Sequence, residues 1–98
     1  MAELTVTLQA PLDHPCYEGH FPGNPVLPGV LLLELVAEAM GRGAPRAIGA
    51  VKFQHALRPG ESFTLRWNPD GARVTFHCAR AGQPVAEGVF TFGETPWQ

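Results

Sequence analysis

One segment constrains this chain more than any other: Gly29-Val30-Leu31-Leu32-Leu33-Glu34-Leu35-Val36-Ala37-Glu38-Ala39-Met40. Pro28 suits the first turn of a helix, and Gly41 and Gly43 suit its end. Apolar residues cover most of its circumference and leave one polar stripe, Glu34, Glu38 and Arg42, at i, i+4 and i+8. A helix that is apolar nearly all round has to be buried on nearly all sides. It is the only convincing helix in 98 residues, so its cover has to come from strands.

Strand patterns fill the rest. Leu4 to Leu8 alternates apolar and polar residues. After the helix, strands are expected near Ala47–Gln54, Ser62–Trp67, Ala72–Arg80 and Pro84–Phe92. Phe63/Leu65/Trp67 and Val74/Phe76/Cys78 carry the period of two that half-buried strands require. Arg58-Pro59-Gly60-Glu61, Asn68-Pro69-Asp70-Gly71 and Ala81-Gly82-Gln83 carry turn chemistry. One strand, one buried helix and four strands in mostly antiparallel succession make an α+β chain: a single domain over 1–98, with a curled sheet covering the helix.

Composition bounds the partners. Only 16% of the residues are charged, with seven Lys plus Arg against nine Asp plus Glu. That is well below the usual ~25%, so part of the surface is expected to be buried in an oligomer. The net charge of −2 argues against nucleic acid. Two cysteines, Cys16 and Cys78, do not make a disulfide framework and read as small hydrophobes. The start has no basic and apolar leader pattern, and Val26 to Met40 is shorter than a membrane span. A cytoplasmic protein without membrane contact is expected.

The loop from Pro11 to Pro28 holds five prolines and two glycines. Loops of this length with no secondary structure of their own are usually functional. Its last part, Gly19-His20-Phe21-Pro22-Gly23-Asn24-Pro25-Val26-Leu27-Pro28-Gly29-Val30-Leu31, runs straight into the helix. His20 is the residue type whose ordinary pKa suits proton transfer near neutral pH. Pro22, Pro25 and Pro28 stiffen the chain around it. The first amides of the helix, from Gly29 on, lack intrahelical partners and suit a developing oxyanion. Glu34 in a greasy helix, with Glu38 at i+4, is pushed towards a proton donor by lost hydration and like charge. Base, oxyanion donors and acid within fifteen residues suit removal of a proton α to a carbonyl, followed by loss of a leaving group. The bland alternatives are a hydrogen-bonded loop histidine for His20 and a solvated stripe of Glu34, Glu38 and Arg42. His14, Cys16 and His20 are metal-ligand types, but no fourth ligand has the spacing of a metal site, so no metal or cofactor is expected. His55 and His77 carry no assignment.

The segment resembles the signature of the 3-hydroxyacyl-[acyl-carrier-protein] dehydratases of the hot-dog fold. That family shows Gly-His-Phe-Pro-Gly, then Pro-x-x-Pro-Gly-Val-Leu, then an acidic residue fourteen positions after the histidine; here 34 − 20 = 14. Val51-Lys52-Phe53, Arg58-Pro59-Gly60-Glu61 and Pro84-Val85-Ala86-Glu87 extend the likeness. The resemblance implies one central helix wrapped by an antiparallel sheet of about five strands. It implies homodimers joined edge to edge, with active sites at the interface; whether dimers stack into hexamers stays open. His20 of one chain would take the α proton of a 3-hydroxyacyl thioester of acyl carrier protein or CoA. The Gly29 N–H would hold the thioester oxygen, and Glu34 of the other chain would protonate the departing hydroxyl. Phe21, Pro22, Leu27, Val30, Phe53 and Phe63 are the candidates for lining the substrate channel. A basic set, Arg42, Arg46, Lys52 and Arg58, is a candidate patch for an acidic carrier. The chain departs from the family in Glu38, where glutamine is usual, and in leaving no room for an N-terminal helix before the first strand. That second departure suggests a specialised pathway, such as an aryl polyene, pigment or polyketide cluster, beside fatty acid synthesis. A hot-dog thioesterase and a non-catalytic partner subunit are the competing expectations.

Overall fold

The computed structural model describes residues 3–19 and 23–93. His20, Phe21 and Pro22, which carry part of the expected site, lie outside the described residues. Element order is β1 (Leu4–Gln9), a 3-10 turn (Pro15–Tyr17), α1 (Gly29–Met40), then β2 (Ala47–Phe53), β3 (Ser62–Asp70), β4 (Arg73–Arg80) and β5 (Gln83–Thr91). The five strands form one sheet in the order β1-β3-β4-β5-β2, every pairing antiparallel. The sheet curls around α1, which is the hot-dog arrangement.

The core is where the inner face of the sheet meets α1. Phe63 and Leu65 of β3, Val74, Phe76 and Cys78 of β4, and Ala86 and Phe90 of β5 are buried at 2% exposure or less. They follow the period of two that puts alternate side chains on one face. Leu32, Val36 and Ala37 of α1 close onto them. The rings of Phe76 and Phe90 lie 4.7 Å apart at a tilt, and Phe90 meets Phe92 edge-on at 6.0 Å.

Four details depart from the sequence expectations. β3 does not stop at Trp67 but runs through Asn68-Pro69-Asp70, and the hairpin turn is Gly71-Ala72 alone. Pro69 stays in the strand opposite Val74 of β4, and the pairing of β3 with β1 begins at Leu4 opposite Trp67. β5 begins at Gln83, because Arg80 and Gln83 close a two-residue loop. The long loop has one turn of its own, at Pro15–Tyr17, where His14 Nδ1 accepts from the Cys16 N–H at 2.9 Å. Finally, among the described residues of the single chain α1 is covered on one side only. Val30 is 72% exposed, and Glu34 and Glu38 face solvent. The apolar circumference read from the sequence is met by the sheet along Leu32, Val36 and Ala37, and no described residue covers the opposite side.

Candidate active site

The helix start is built by three constraints. Pro28 holds an extended conformation as the N-cap and offers no side-chain hydrogen bond, so the first amides of α1 keep their donors free of any side-chain cap. The Leu27 N–H donates to the Leu57 carbonyl at 2.7 Å, and both side chains are buried. This ties the approach to the helix onto the loop that follows β2. That loop is itself fixed. Glu61 Oε1 accepts from the Arg58 N–H at 2.7 Å and from Arg80 at 2.8 Å, and Arg80 also donates to the Ala56 carbonyl at 3.0 Å. The Glu61 N–H closes on the Arg58 carbonyl at 3.1 Å with Gly60 at φ +82, the geometry of a type II turn with proline and glycine at its centre.

Phe53, the last residue of β2, lays its ring directly on Gly29. A Cβ at position 29 would lie 2.7 Å from Phe53 Cζ. Glycine at the first turn thus lets the ring approach the helix backbone this closely. A cavity of about 430 Å³ opens beside this contact, and its walls include Leu27, Gly29, Val30, Phe53, His55 and Leu57. A second, larger groove of about 710 Å³ runs along the open side of α1, walled by Val30, Leu33, Glu34, Ala37, Ile48 and others. Val30 borders both.

The structure thus brings four expected site residues, Leu27, Gly29, Val30 and Phe53, to one cavity. It puts Glu34 in the other groove, on the far side of Val30. Five residues along a helix turn the side chain about 140° away, so the Glu34 carboxyl cannot serve the Gly29 amide of its own chain without rounding the helix. Phe63 is buried in the core at 2% exposure and lines neither space. Glu34 and Glu38 share the groove, whereas Arg42 turns away. Arg42 donates to the Gly71 carbonyl at 3.1 Å and lies 4.8 Å above the Phe92 ring. Among the described residues the ion pairs are Glu3–Arg66 and Glu61–Arg80, so no pair joins the stripe of α1. His14 spends its Nδ1 on the Cys16 amide. Cys78 belongs to the core, where burial pushes its thiol up to about 12. Burial also raises Cys16 and Tyr17, with the neighbouring Cys16 charge a smaller contribution for Tyr17. The sequence reading gave no role to His55, which reaches the Gly29 cavity. Its place two residues past Phe53 at a strand end was the available signal.

A family model, ApeI-like, described as ApeI dehydratase, matches residues 1–89. The chain belongs to the ApeI-like family. The 3-hydroxyacyl-[acyl-carrier-protein] dehydratase FabZ of Haemophilus influenzae is 52% identical over 52 residues, covering 53% of this chain and 30% of that protein. FabZ of Blochmanniella floridana is 33% identical over 96 residues, covering 84% of this chain and 59% of its own. The chain therefore spans less than two thirds of the curated relatives it matches. Among solved structures, the dehydratase heterocomplex ApeI:P from Xenorhabdus doucetiae superposes with a TM-score of 0.77 at 29% identity, over 91% of this chain and 85% of that one. The fluoroacetyl-CoA-specific thioesterase FlK gives 0.63 at 17% identity over 90% of this chain and 81% of its own, a likeness of fold alone. No helix among the described residues is long and apolar enough to cross a membrane.

Proposed function

We propose that this chain dehydrates a 3-hydroxyacyl thioester of an acyl carrier protein or CoA to the trans-2-enoyl thioester, in fatty acid, polyketide or aryl polyene type biosynthesis in the cytoplasm. The observation that carries the reading is the uncapped helix start at Gly29, walled into a cavity by Phe53, in a family whose FabZ relatives are named for this reaction. His20 takes the proton from C2, and the electron pair moves into the thioester carbonyl as an enolate. The Gly29 N–H holds that oxygen. The enolate then re-forms the carbonyl, C2=C3 forms, and the C3–O bond breaks. The hydroxyl leaves as water with the proton of Glu34. His20 returns its proton to Glu34 through solvent, so the net loss is one water.

The separation of Gly29 and Glu34 by Val30 supports a homodimer in which the Glu34 that completes each site comes from the other chain. The open side of α1 and the exposed Ile48 and Phe53 of edge strand β2 supply surface for that association. Cover by a second chain would also remove water from Glu34, the condition under which a carboxyl becomes an acid. One observation favours a second reading: the ApeI:P structure is a heterocomplex, so an unlike hot-dog subunit could occupy the same face. The test is hydration of an enoyl thioester, followed by loss of its conjugated absorbance, with light scattering on the same sample. Wild type should turn over as a dimer, and His20→Ala and Glu34→Gln should each lose about 10²-fold or more. A wild type with no turnover, alone or mixed with an unlike hot-dog subunit, and indistinguishable from His20→Ala, would overturn the dehydratase reading. Turnover only in the mixture would favour the heterocomplex.

A further inference from the structure

His55 is held more tightly than an exposed histidine at a strand end needs to be. The Gln54 and His55 amides both donate to the Val85 carbonyl, at 2.8 and 3.3 Å. Its ring Nδ1 lies 2.7 Å from the Pro84 carbonyl oxygen. A carbonyl only accepts, so Nδ1 carries the hydrogen, and Nε2 of the neutral ring is left as an acceptor. His14 shows the opposite arrangement, with Nδ1 accepting from an amide. The backbone and the ring of His55 are thus both pinned, and the residue forms part of the wall of the Gly29 cavity.

The remaining wall is mostly apolar, with Leu27, Leu32, Leu57 and the Phe53 ring, and Gln54 is its other polar residue. A thioester with its oxygen on the Gly29 amide has to leave that point in two directions, one for the acyl chain and one for the carrier arm. A hydrocarbon chain passing His55 would bury Nε2 without a partner, which costs about 1–3 kcal/mol. The arm shared by CoA and carrier-protein thioesters is pantetheine, which is methylenes punctuated by secondary amides. A mostly apolar slot with an acceptor whose ring is pinned by the Pro84 carbonyl matches that arm. Resting on the dehydratase reading for its substrate class, we propose that the Gly29 cavity receives the pantetheine arm and that His55 Nε2 accepts a hydrogen bond from one of its amide N–H groups. His55 is a specificity residue here, outside the proton-transfer steps.

The test compares two enoyl thioesters with the same acyl group, one of pantetheine and one of ethanethiol, which has no amide. His55→Ala should raise KM for the pantetheine thioester about three- to tenfold with kcat unchanged. The ethyl thioester should be unaffected, and His55→Gln, which keeps an acceptor, should recover part of the loss. An equal loss with both substrates, or no loss with either, would overturn the proposal. Free pantetheine gives a readout without turnover: it should shift the His55 ring signals in NMR spectra of the wild-type protein. Unshifted signals overturn the proposal, whereas a shift in a protein that hydrates neither thioester overturns the dehydratase reading alone.

Discussion

Gly88 and Gly29 carry the same steric demand and should respond to the same substitution in opposite ways. A Cβ at Gly88 would lie 2.8 Å from Val51 Cγ2 and 3.0 Å from Phe76 Cζ; at Gly29 it would lie 2.7 Å from Phe53 Cζ. What decides the outcome is whether the neighbour can move. Phe76 is fully buried against Phe90, whereas Phe53 is 55% exposed. Gly88→Ala should therefore cost about 1–3 kcal/mol, the usual penalty for an overpacked core, read as a lower urea midpoint at unchanged slope. Gly29→Ala should leave the midpoint within about 1 kcal/mol while swinging the Phe53 ring away from the helix start. Its cost should appear as at least a tenfold loss of enoyl thioester hydration, because methyl and ring now crowd the amide. A Gly29→Ala protein as active as wild type would show that the contact has no bearing on the site. Neither demand was legible in the sequence. Gly29 could be read there as a helix start and an amide donor but not as a steric contact, and Gly88 not at all, since both contacts depend on partners brought up from distant strands.

At the scale of elements, the helix was legible to the residue, because Pro28, a run of good helix formers and Gly41 mark both ends with independent physics. Strand ends were less so. Pro69 reads as a breaker, yet it lies within β3, paired with Val74 of β4. The irregularity in β2, where Gly49 to Lys52 spans one residue more than Val89 to Glu87, left no mark, since its left-handed residue is Ala50 rather than glycine. The β4–β5 turn was read one residue too long, and its strain shows only in the structure. Ala81 and Gly82 both have positive φ, at 50 and 82, the type I′ geometry that favours asparagine followed by glycine. Ala81→Asn should relieve a conformation alanine rarely adopts and raise stability by about 0.5–1 kcal/mol. Thermal unfolding should show this as a gain of a few degrees, and a loss would mean the loop is not a two-residue type I′ turn.

At the scale of the whole molecule, the chain is a slab of 43 × 30 × 20 Å, about the depth of one sheet and one helix. The His20 end of the site, although the plainest signal in the sequence, lies outside the described residues. Glu34 was legible as a carboxylate on the helix, but the water around it was not, because that depends on what covers the open side of α1. The core is legible and nearly free of titratable groups; among the described residues no charged or hydrogen-bonding polar side chain is buried in it. Cys78 is the exception in chemistry, a thiol raised to about 12 by burial from an ordinary 9.0. Its proton is held more tightly by the folded chain than by the unfolded one. The stabilisation is therefore complete below about pH 9 and is lost as pH rises from there towards 12, at no more than about 1.4 kcal/mol per pH unit. Cys16 and Tyr17, also raised, act in the same direction, so the wild-type slope alone does not isolate Cys78. Cys78→Ala does: it removes the group and leaves the other two. Urea unfolding from about pH 8 to about pH 10.5 should show wild type losing about 1–2 kcal/mol more than the variant, although the variant begins less stable for the cavity it contains. Parallel curves would mean that the unfolded chain and the core hold the Cys78 proton equally well, and that β4 does not keep the thiol out of water.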